Sequence, residues 1–179
     1  MSSSSQGSRY SFVKLTKKLD RFQFDCGEPS LNDFLKKSAR QNQNKNLSVT
    51  TAIIEGDKSN RIIGYHTLAI GTIERESLPL EEAKNLPRYP VPIVRIGRLA
   101  IDNSAKGQRL GEELLMDALI RCTRVHENVP VFAVVVDALS ENAKAFYIKY
   151  GFIPFNDKPF SLFLPIETVL QLFPATKVK

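Results

Sequence analysis

Tryptophan does not occur in the 179 residues, and cysteine, histidine and methionine occur twice each. Two cysteines, Cys26 and Cys122, build no disulfide framework. With only His66 and His126 beside them they make no dedicated zinc site, so no metal is expected. Each cysteine reads instead as a small buried hydrophobe. Long apolar runs are missing too. The longest, "VFAVVV" at 131–136, falls far short of the roughly 20 residues that span a bilayer. The N-terminal "MSSSSQGSR" lacks the charged start and apolar centre of a secretory leader. It reads as a disordered polar tail over residues 1–9, and a cytoplasmic protein with no membrane partner is expected. No repeat or linker interrupts the rest, so residues 10–175 are expected to form a single domain.

What is present is ordinary for a folded chain: 42% apolar and 25% charged residues. The 25 Lys and Arg exceed the 19 Asp and Glu, a net charge of +6. Such a balance suits a polyanionic partner or a phosphate-bearing cofactor, and equally suits plain solubility. Residues 10–16 alternate as a half-buried strand does. Ser30-x-x-Asp33 reads as a capping box, followed by a helix through Leu31, Phe34, Leu35 and Ala39 with a basic face of Lys36, Lys37 and Arg40. Residues 47–56 and 61–74 read as an antiparallel hairpin around "DKSN". "LPLEEAKNL" is a short helix, "PRYPVP" an extended connector and 93–102 a strand. A helix over 109–126 carries Leu110, Leu114, Leu115, Ala118, Leu119 and Cys122 on one face. A buried strand over 129–139 follows, then a helix over 140–150 capped by Ser140 and Gly151. Short strands "FIPF" and "SLFLPIE" and a last helical turn close the chain. This order puts a βαβ unit between antiparallel hairpins. The fold class is α/β, with a mixed, mostly antiparallel sheet, a central parallel pair and helices on both faces.

Gly107 and Gly111 stand where the strand gives way to the long helix. A helix start leaves backbone N–H groups unpaired and concentrates positive potential, which suits phosphate. "KGQRLGEE" therefore reads as a pyrophosphate cradle, with charge added by Lys106 and Arg109. It has neither the Gly-Lys-Ser/Thr of a nucleotide P-loop nor the G-x-G-x-x-G dinucleotide spacing. A capping glycine in a loop is the plain alternative. The stretch resembles motif A of the GCN5-related N-acetyltransferases (GNAT), Gln/Arg-x-x-Gly-x-Gly/Ala. Lys106 stands at its first position, Arg109 at the middle glycine and Gly111 at the last. "SENAKAFYIKYGFIPF" resembles motif B of the same family, at the right separation. "FDCGEPSLNDFLKKSARQNQ", "IGRLAID" and "LFLPIETV" extend the likeness over nearly the whole chain. It is similar to the branch containing bacterial GNAT toxins, which acetylate the amine of aminoacyl-tRNA and pair with ribbon-helix-helix antitoxins.

The resemblance implies acetyl-CoA as co-substrate, in a wedge between the strands at 93–102 and 131–139. It implies that the backbone of Leu99, Ala100 and Ile101 holds the pantetheine arm. The amides of Gly107, Gln108, Arg109, Leu110, Gly111 and Glu112 would take the pyrophosphate, with Lys106 beside them. Asn142 would contact the cofactor arm, and Tyr147 would be the general acid for the leaving thiolate. Periodicity alone makes Tyr147 a packing residue, together with Ala143, Phe146 and Tyr150. No base stands out: His66 and His126 read as structural, and Glu74 is a weak candidate. An α-amine, with a pKa of about 8, needs a base less than a lysine at about 10.4 does. The acceptor expected is thus the α-amine of aminoacyl-tRNA, approached over basic faces at Lys36, Lys37 and Arg40, at Arg121 and Arg124, and at Lys144 and Lys149. A small-molecule amine, a protein N-terminus, or acyl-CoA binding without turnover are the alternatives. A homodimer is compatible with all of them.

Overall fold

The computed structural model describes residues 9–174. The tail expected over residues 1–9 lies outside these, apart from Arg9. Its carbonyl accepts from the Gly56 N–H, and its guanidinium pairs with Glu55 at 3.2 Å.

Strand β1 (Tyr10–Lys14) is followed by α1 (Pro29–Asp33), a π-turn (Phe34–Ser38) and α2 (Ala39–Asn44). Next come β2 (Val49–Glu55), β3 (Ile62–Ile73), α3 (Leu80–Ala83), β4 (Val91–Ile101) and α4 (Leu110–Asn128). The chain closes with β5 (Ala133–Asp137), α5 (Glu141–Lys149), β6 (Ile153–Pro154), β7 (Ser161–Pro165) and α6 (Ile166–Leu172). The sheet order is β1-β2-β3-β4-β5-β7-β6. β1 pairs antiparallel with β2, and β7 antiparallel with both β5 and β6. β4 and β5 run parallel, with α4 as the crossover between them. This is the mixed α/β sheet that the sequence predicts. The parallel ladder spans Ile93–Ala133 to Ile96–Val136, and β4 continues five residues past its end, to Ile101.

Two compact units divide the chain. One comprises residues up to Thr67 with Arg98–Asp117, and the other Leu68–Gly97 with Ala118 onward. In the first, neighbouring strand residues feed two separate cores, because successive side chains point to opposite faces. Ala52, Ile62, Tyr65 and Ala100 join Phe24, Phe34 and Leu35. Ile53 and Ile63 join Ala105, Leu110 and Leu114, with Leu99 and Ile101 packed alongside. In the second unit Ile73, Ile93, Ala133, Val135, Phe155 and Phe163 form one core. Both cysteines are buried, and burial pushes the Cys122 thiol up to about 12.

Several local expectations are corrected. The N-cap of α1 is Glu28, not Ser30: its carboxylate accepts from the Ser30 N–H, and Pro29 takes the first helical position. Proline suits that position, since its missing N–H would have no partner there anyway. The single helix expected through Ala39 is interrupted by the π-turn. It buries Phe34 and Leu35 and ends with the Ala39 N–H on the Phe34 carbonyl. The strand expected at 129–139 shrinks to β5, because α4 runs on to Asn128. Val131 then donates to the His126 ring and Phe132 to the Pro92 carbonyl. β4 starts at Val91, inside the segment expected as a connector.

The carboxylate of Asp102 organises the turn after β4. It accepts from the Asp25 N–H, the Ser104 N–H and the Ser104 hydroxyl at 2.6–2.9 Å, with Arg61 at 3.5 Å. Burial pushes its pKa up, but these donors outweigh burial and hold it below the usual carboxylate range. Replacement by alanine strands buried donors. Asp102→Ala is expected to lower unfolding free energy by about 3 kcal/mol, read from urea midpoints.

Candidate active site

Asp102 caps a short 3-10 turn, Asn103–Ala105, from which the chain enters the glycine loop. Gly107 has φ 79° and Arg109 φ 60°, so two left-handed residues reverse the chain before α4. The position where the family pattern has its middle glycine thus keeps a glycine-like backbone while carrying arginine. That conformation costs an L-residue roughly 1–2 kcal/mol. No heavy atom lies within 4 Å of where a Cβ would stand on Gly107 or Gly111, so both glycines front open space. The Glu112 and Glu113 amides donate to the Arg109 carbonyl. Of the amides expected to take a pyrophosphate, that of Glu112 is already used in the first helical turn.

The side chains around the loop have partners of their own. Lys106 Nζ donates to the Cys26 carbonyl at 2.8 Å, and Gln108 accepts from the Tyr10 hydroxyl at 2.6 Å. Arg109 pairs with Glu112 at 2.9 Å. Lys106 and Arg109 thus bring positive charge to the loop while tied to protein oxygens. Leu110 and Ala100 are buried, and the half-buried Leu99 and Ile101 pack against the second core of this unit.

In the second unit α5 begins as expected. Ser140 accepts from the Ala143 N–H, and Asn142 is exposed in the first turn. Gly151, at φ 91°, follows Tyr150, which is the C-cap itself. Tyr147 is buried edge-to-face against Phe146 and Phe152, at 5.3 and 5.5 Å between ring centroids. Its hydroxyl has no hydrogen-bond partner among the described residues. Burial first, and the Asp137 carboxylate second, push its pKa up to about 12. The proton stays on Tyr147 throughout the neutral range. Tyr150 is only half-buried, so it is less a core residue than its spacing suggests.

Asp137, at the end of β5, was not singled out by the sequence. Its carboxylate takes the Arg95 guanidinium and the Ser161 hydroxyl. Together with Glu74, Ser77, Phe155 and Lys158 these residues line a cavity of about 440 Å³. Glu74, the weak base candidate, is on its wall. The signal for Asp137 was an acidic residue ending an otherwise apolar strand, "VVVD". The histidines are structural. His66 is fully buried with Nε2 2.7 Å from Asp117, and His126 accepts from the Val131 N–H. Lys37 pairs with Asp33, and Lys144 and Lys149 sit over Phe160 and Tyr150. Among the described residues no His, Cys, Asp and Glu cluster could hold a metal, and no helix is long and apolar enough to cross a membrane.

Residues 33–161 match the Acetyltransferase (GNAT) domain family, and the chain belongs to it. A relative from Mycobacterium tuberculosis named tRNA-acetylating toxin is 34% identical over 149 residues, 83% of this chain and 87% of the relative. A structure of AtaT complexed with acetyl-methionyl-tRNAfMet has a TM-score of 0.85 at 31% identity, covering 92% of this chain and 99% of that one. A structure of AtaTR bound with AcCoA has a TM-score of 0.81 at 31% identity, over 92% of this chain and 98% of that one.

Two outcomes are expected. Gly111→Val fills space that no protein atom occupies, so circular dichroism should be unchanged while calorimetry with acetyl-CoA shows little binding. Arg109→Gly removes the left-handed penalty and an exposed ion pair of small worth. It should be neutral or stabilising by up to about 1 kcal/mol in urea titrations. For Tyr147, the unfolded chain's phenol ionises near pH 10, the folded one near 12. Its contribution is intact below pH 10 and is lost as pH rises from there toward 12. Parent stability should then fall more steeply than that of Tyr147→Phe between about pH 9.5 and 11.5, by urea midpoints.

Proposed function

We propose that this chain transfers the acetyl group of acetyl-CoA to the α-amine of an amino acid esterified to tRNA, and thereby acts as a toxin that blocks translation. The observation that carries the reading is the loop opening α4. Gly107 and Gly111 front open space there, Gly107 and Arg109 are left-handed, and a helix N-terminus supplies the positive potential. A pyrophosphate fits that cradle. The tRNA-acetylating toxin from Mycobacterium tuberculosis and the AtaT–tRNA complex support the acceptor class.

In this reading the amides from Gly107 to Gly111 hold the pyrophosphate. Leu99, Ala100 and Ile101 offer backbone hydrogen bonds to the pantetheine arm along the part of β4 that runs past the β5 ladder. Asn142 contacts the same arm. Tyr147 keeps its proton until the C–S bond breaks. The amine nitrogen forms the new bond to the acetyl carbon as the C–S bond breaks and loses its proton to solvent, and the departing sulfur takes a hydrogen bond and then the proton from the phenol, which solvent re-protonates. A free thiol, with a pKa of about 8.5, is the stronger acid beside Tyr147 at about 12, so the phenol acts first by stabilising the charge that collects on sulfur, and re-protonation of the phenolate from solvent completes the uphill transfer. An α-amine is already largely neutral near pH 8, so the chemistry calls for no strong base. Partners proposed on the branch resemblance are a ribbon-helix-helix antitoxin and a second copy of the chain, in the cytoplasm.

Purified protein mixed with labelled acetyl-CoA and total charged tRNA should place the label on the aminoacyl group. Tyr147→Phe should bind acetyl-CoA with parent affinity and transfer about 100-fold more slowly or worse. Expression without antitoxin should arrest translation, and the same variant should relieve the arrest. Label on a free polyamine or peptide, and none on tRNA, would replace this reading with a small-amine or N-terminal acetyltransferase. Acetyl-CoA binding with no transfer to any amine would leave a binding module.

A further inference from the structure

Arg98 differs from the other arginines whose contacts define the fold. Arg9, Arg61, Arg95 and Arg109 each face a carboxylate, and Arg21 and Arg75 each donate to a carbonyl. The Arg98 guanidinium instead lies 3.6 Å over the ring of Phe34. Among the described residues its N–H groups meet no hydrogen-bond acceptor.

The ring beneath it is fixed from below. Tyr65 stacks on Phe34 with centroids 6.4 Å apart and planes 18° apart, and Phe24 meets Tyr65 edge-on at 5.4 Å. The Tyr65 hydroxyl donates to the Leu31 carbonyl at 2.7 Å. Phe34 itself is buried by the π-turn, whose extra residue lets it drop into the core. The guanidinium is thus held by its face, a contact that leaves the in-plane donors unspent. Five N–H groups in a planar fork match two oxygens of a phosphate.

Further cations stand on the same segment, with Asp25 and Asp33 as the nearby carboxylates. The π-turn carries Lys36 and Lys37, α2 carries Arg40, and the Arg21 guanidinium reaches the Lys36 carbonyl at 3.0 Å. Burial and the nearby Arg40 charge both lower the Arg21 pKa. Like charges crowded at one place repel one another, and a bound polyanion offsets that repulsion. Among the described residues Lys37 is the one of this group within ion-pair distance of a carboxylate, Asp33 at 3.0 Å, while Asp25 acts on Lys36 from further away. Along the chain, Arg98 directly precedes Leu99–Ile101, the residues proposed to hold the pantetheine arm.

We infer that Arg98, clamped on Phe34, is a phosphate-binding residue that takes a backbone phosphodiester of the acceptor RNA, with Arg21, Lys36 and Arg40 neutralising neighbouring phosphates. The inference rests on the tRNA reading above. Phe34 is the positioning residue, and Arg98 makes the contact. A phosphate in the same fork could also belong to the coenzyme, and acetyl-CoA affinity separates the two sources.

The test measures binding apart from turnover. Uncharged total tRNA is titrated against full-length parent, Arg98→Ala, Arg98→Lys and Phe34→Leu by fluorescence anisotropy at several salt concentrations. Arg98→Ala should bind tRNA about ten-fold more weakly, and its log-affinity against log-salt slope should fall by about 0.7–0.9, one phosphate contact. Arg98→Lys keeps the charge without the planar fork and should lie between. Phe34→Leu should weaken tRNA binding with the salt slope kept, since the charge remains. Acetyl-CoA affinity should change less than about two-fold in Arg98→Ala. In transfer assays the loss with charged tRNA should exceed the loss with 3′-aminoacyl-adenosine, which carries no phosphate. Equal tRNA affinity and slope in parent and Arg98→Ala would overturn the inference, and so would a loss confined to acetyl-CoA. Should Arg98→Ala fail to fold, Arg98→Lys with parent affinity and Phe34→Leu with parent affinity would together overturn it. A parent that binds tRNA in this way but never acetylates it would refute the functional reading and leave the phosphate site standing.

Discussion

A carboxylate that stays charged while buried holds the first unit together. Asp102 gives up most of its water, which by itself would favour the neutral acid. It remains ionised because the Asp25 amide, both donors of Ser104 and the Arg61 guanidinium converge on it. Those donors come from segments far apart in the chain. The carboxylate therefore fixes the end of β4, the turn into the glycine loop and the segment leading to α1 in a single step. A second link repeats the pattern, with the Asn103 amide on the Asp25 carbonyl and Lys106 on the Cys26 carbonyl. The loop can carry left-handed residues because its stem has been made rigid. Strain at Arg109 persists only where the surroundings over-determine the backbone.

The same economy governs β4. Its side chains between Leu99 and Ile101 pack alternately against two cores, Ala100 fully and its two neighbours in part. Where the ladder with β5 ends, strand geometry continues without that partner. In the second unit Tyr147 packs with its ring against Phe146 and Phe152, and its hydroxyl meets no hydrogen-bond partner among the described residues. The apolar surroundings and the Asp137 charge raise the cost of removing its proton, so the phenol stays neutral well above physiological pH.

Features set by local pattern were legible in the sequence. The helix at α5 announced itself through Ser140 and Gly151, α4 through the spacing of Leu110, Leu114, Leu115, Ala118 and Leu119, and the loop through Gly107 and Gly111. What could not be read depends on distant partners or on backbone that residue type does not declare. Nothing in "QRLG" signals that Arg109 adopts a positive φ, since arginine rarely does. Nothing near Asp102 names Asp25, 77 positions away. The π-turn was hidden because Leu31, Phe34, Leu35 and Ala39 fit ordinary helical spacing closely enough. Glutamate is an uncommon cap, and Ser30 two residues later fits the usual pattern better than Glu28, the cap observed. In the sequence Asp137 and Arg98 are ordinary polar residues within strands, and their partners Arg95, Ser161 and Phe34 appear only in three dimensions.

Cys122 closes the face of α4 that carries Leu114, Leu115, Ala118 and Leu119, and it is wholly inaccessible. A thiol held up to about 12 carries almost no thiolate at neutral pH, and thiolate is the reactive form. Oxidants and alkylating reagents are thus shut out twice, by access and by protonation state. The sulfur becomes available only when the helix lifts from its bed. Its modification rate is consequently a clock for that opening, built into the molecule without any introduced label.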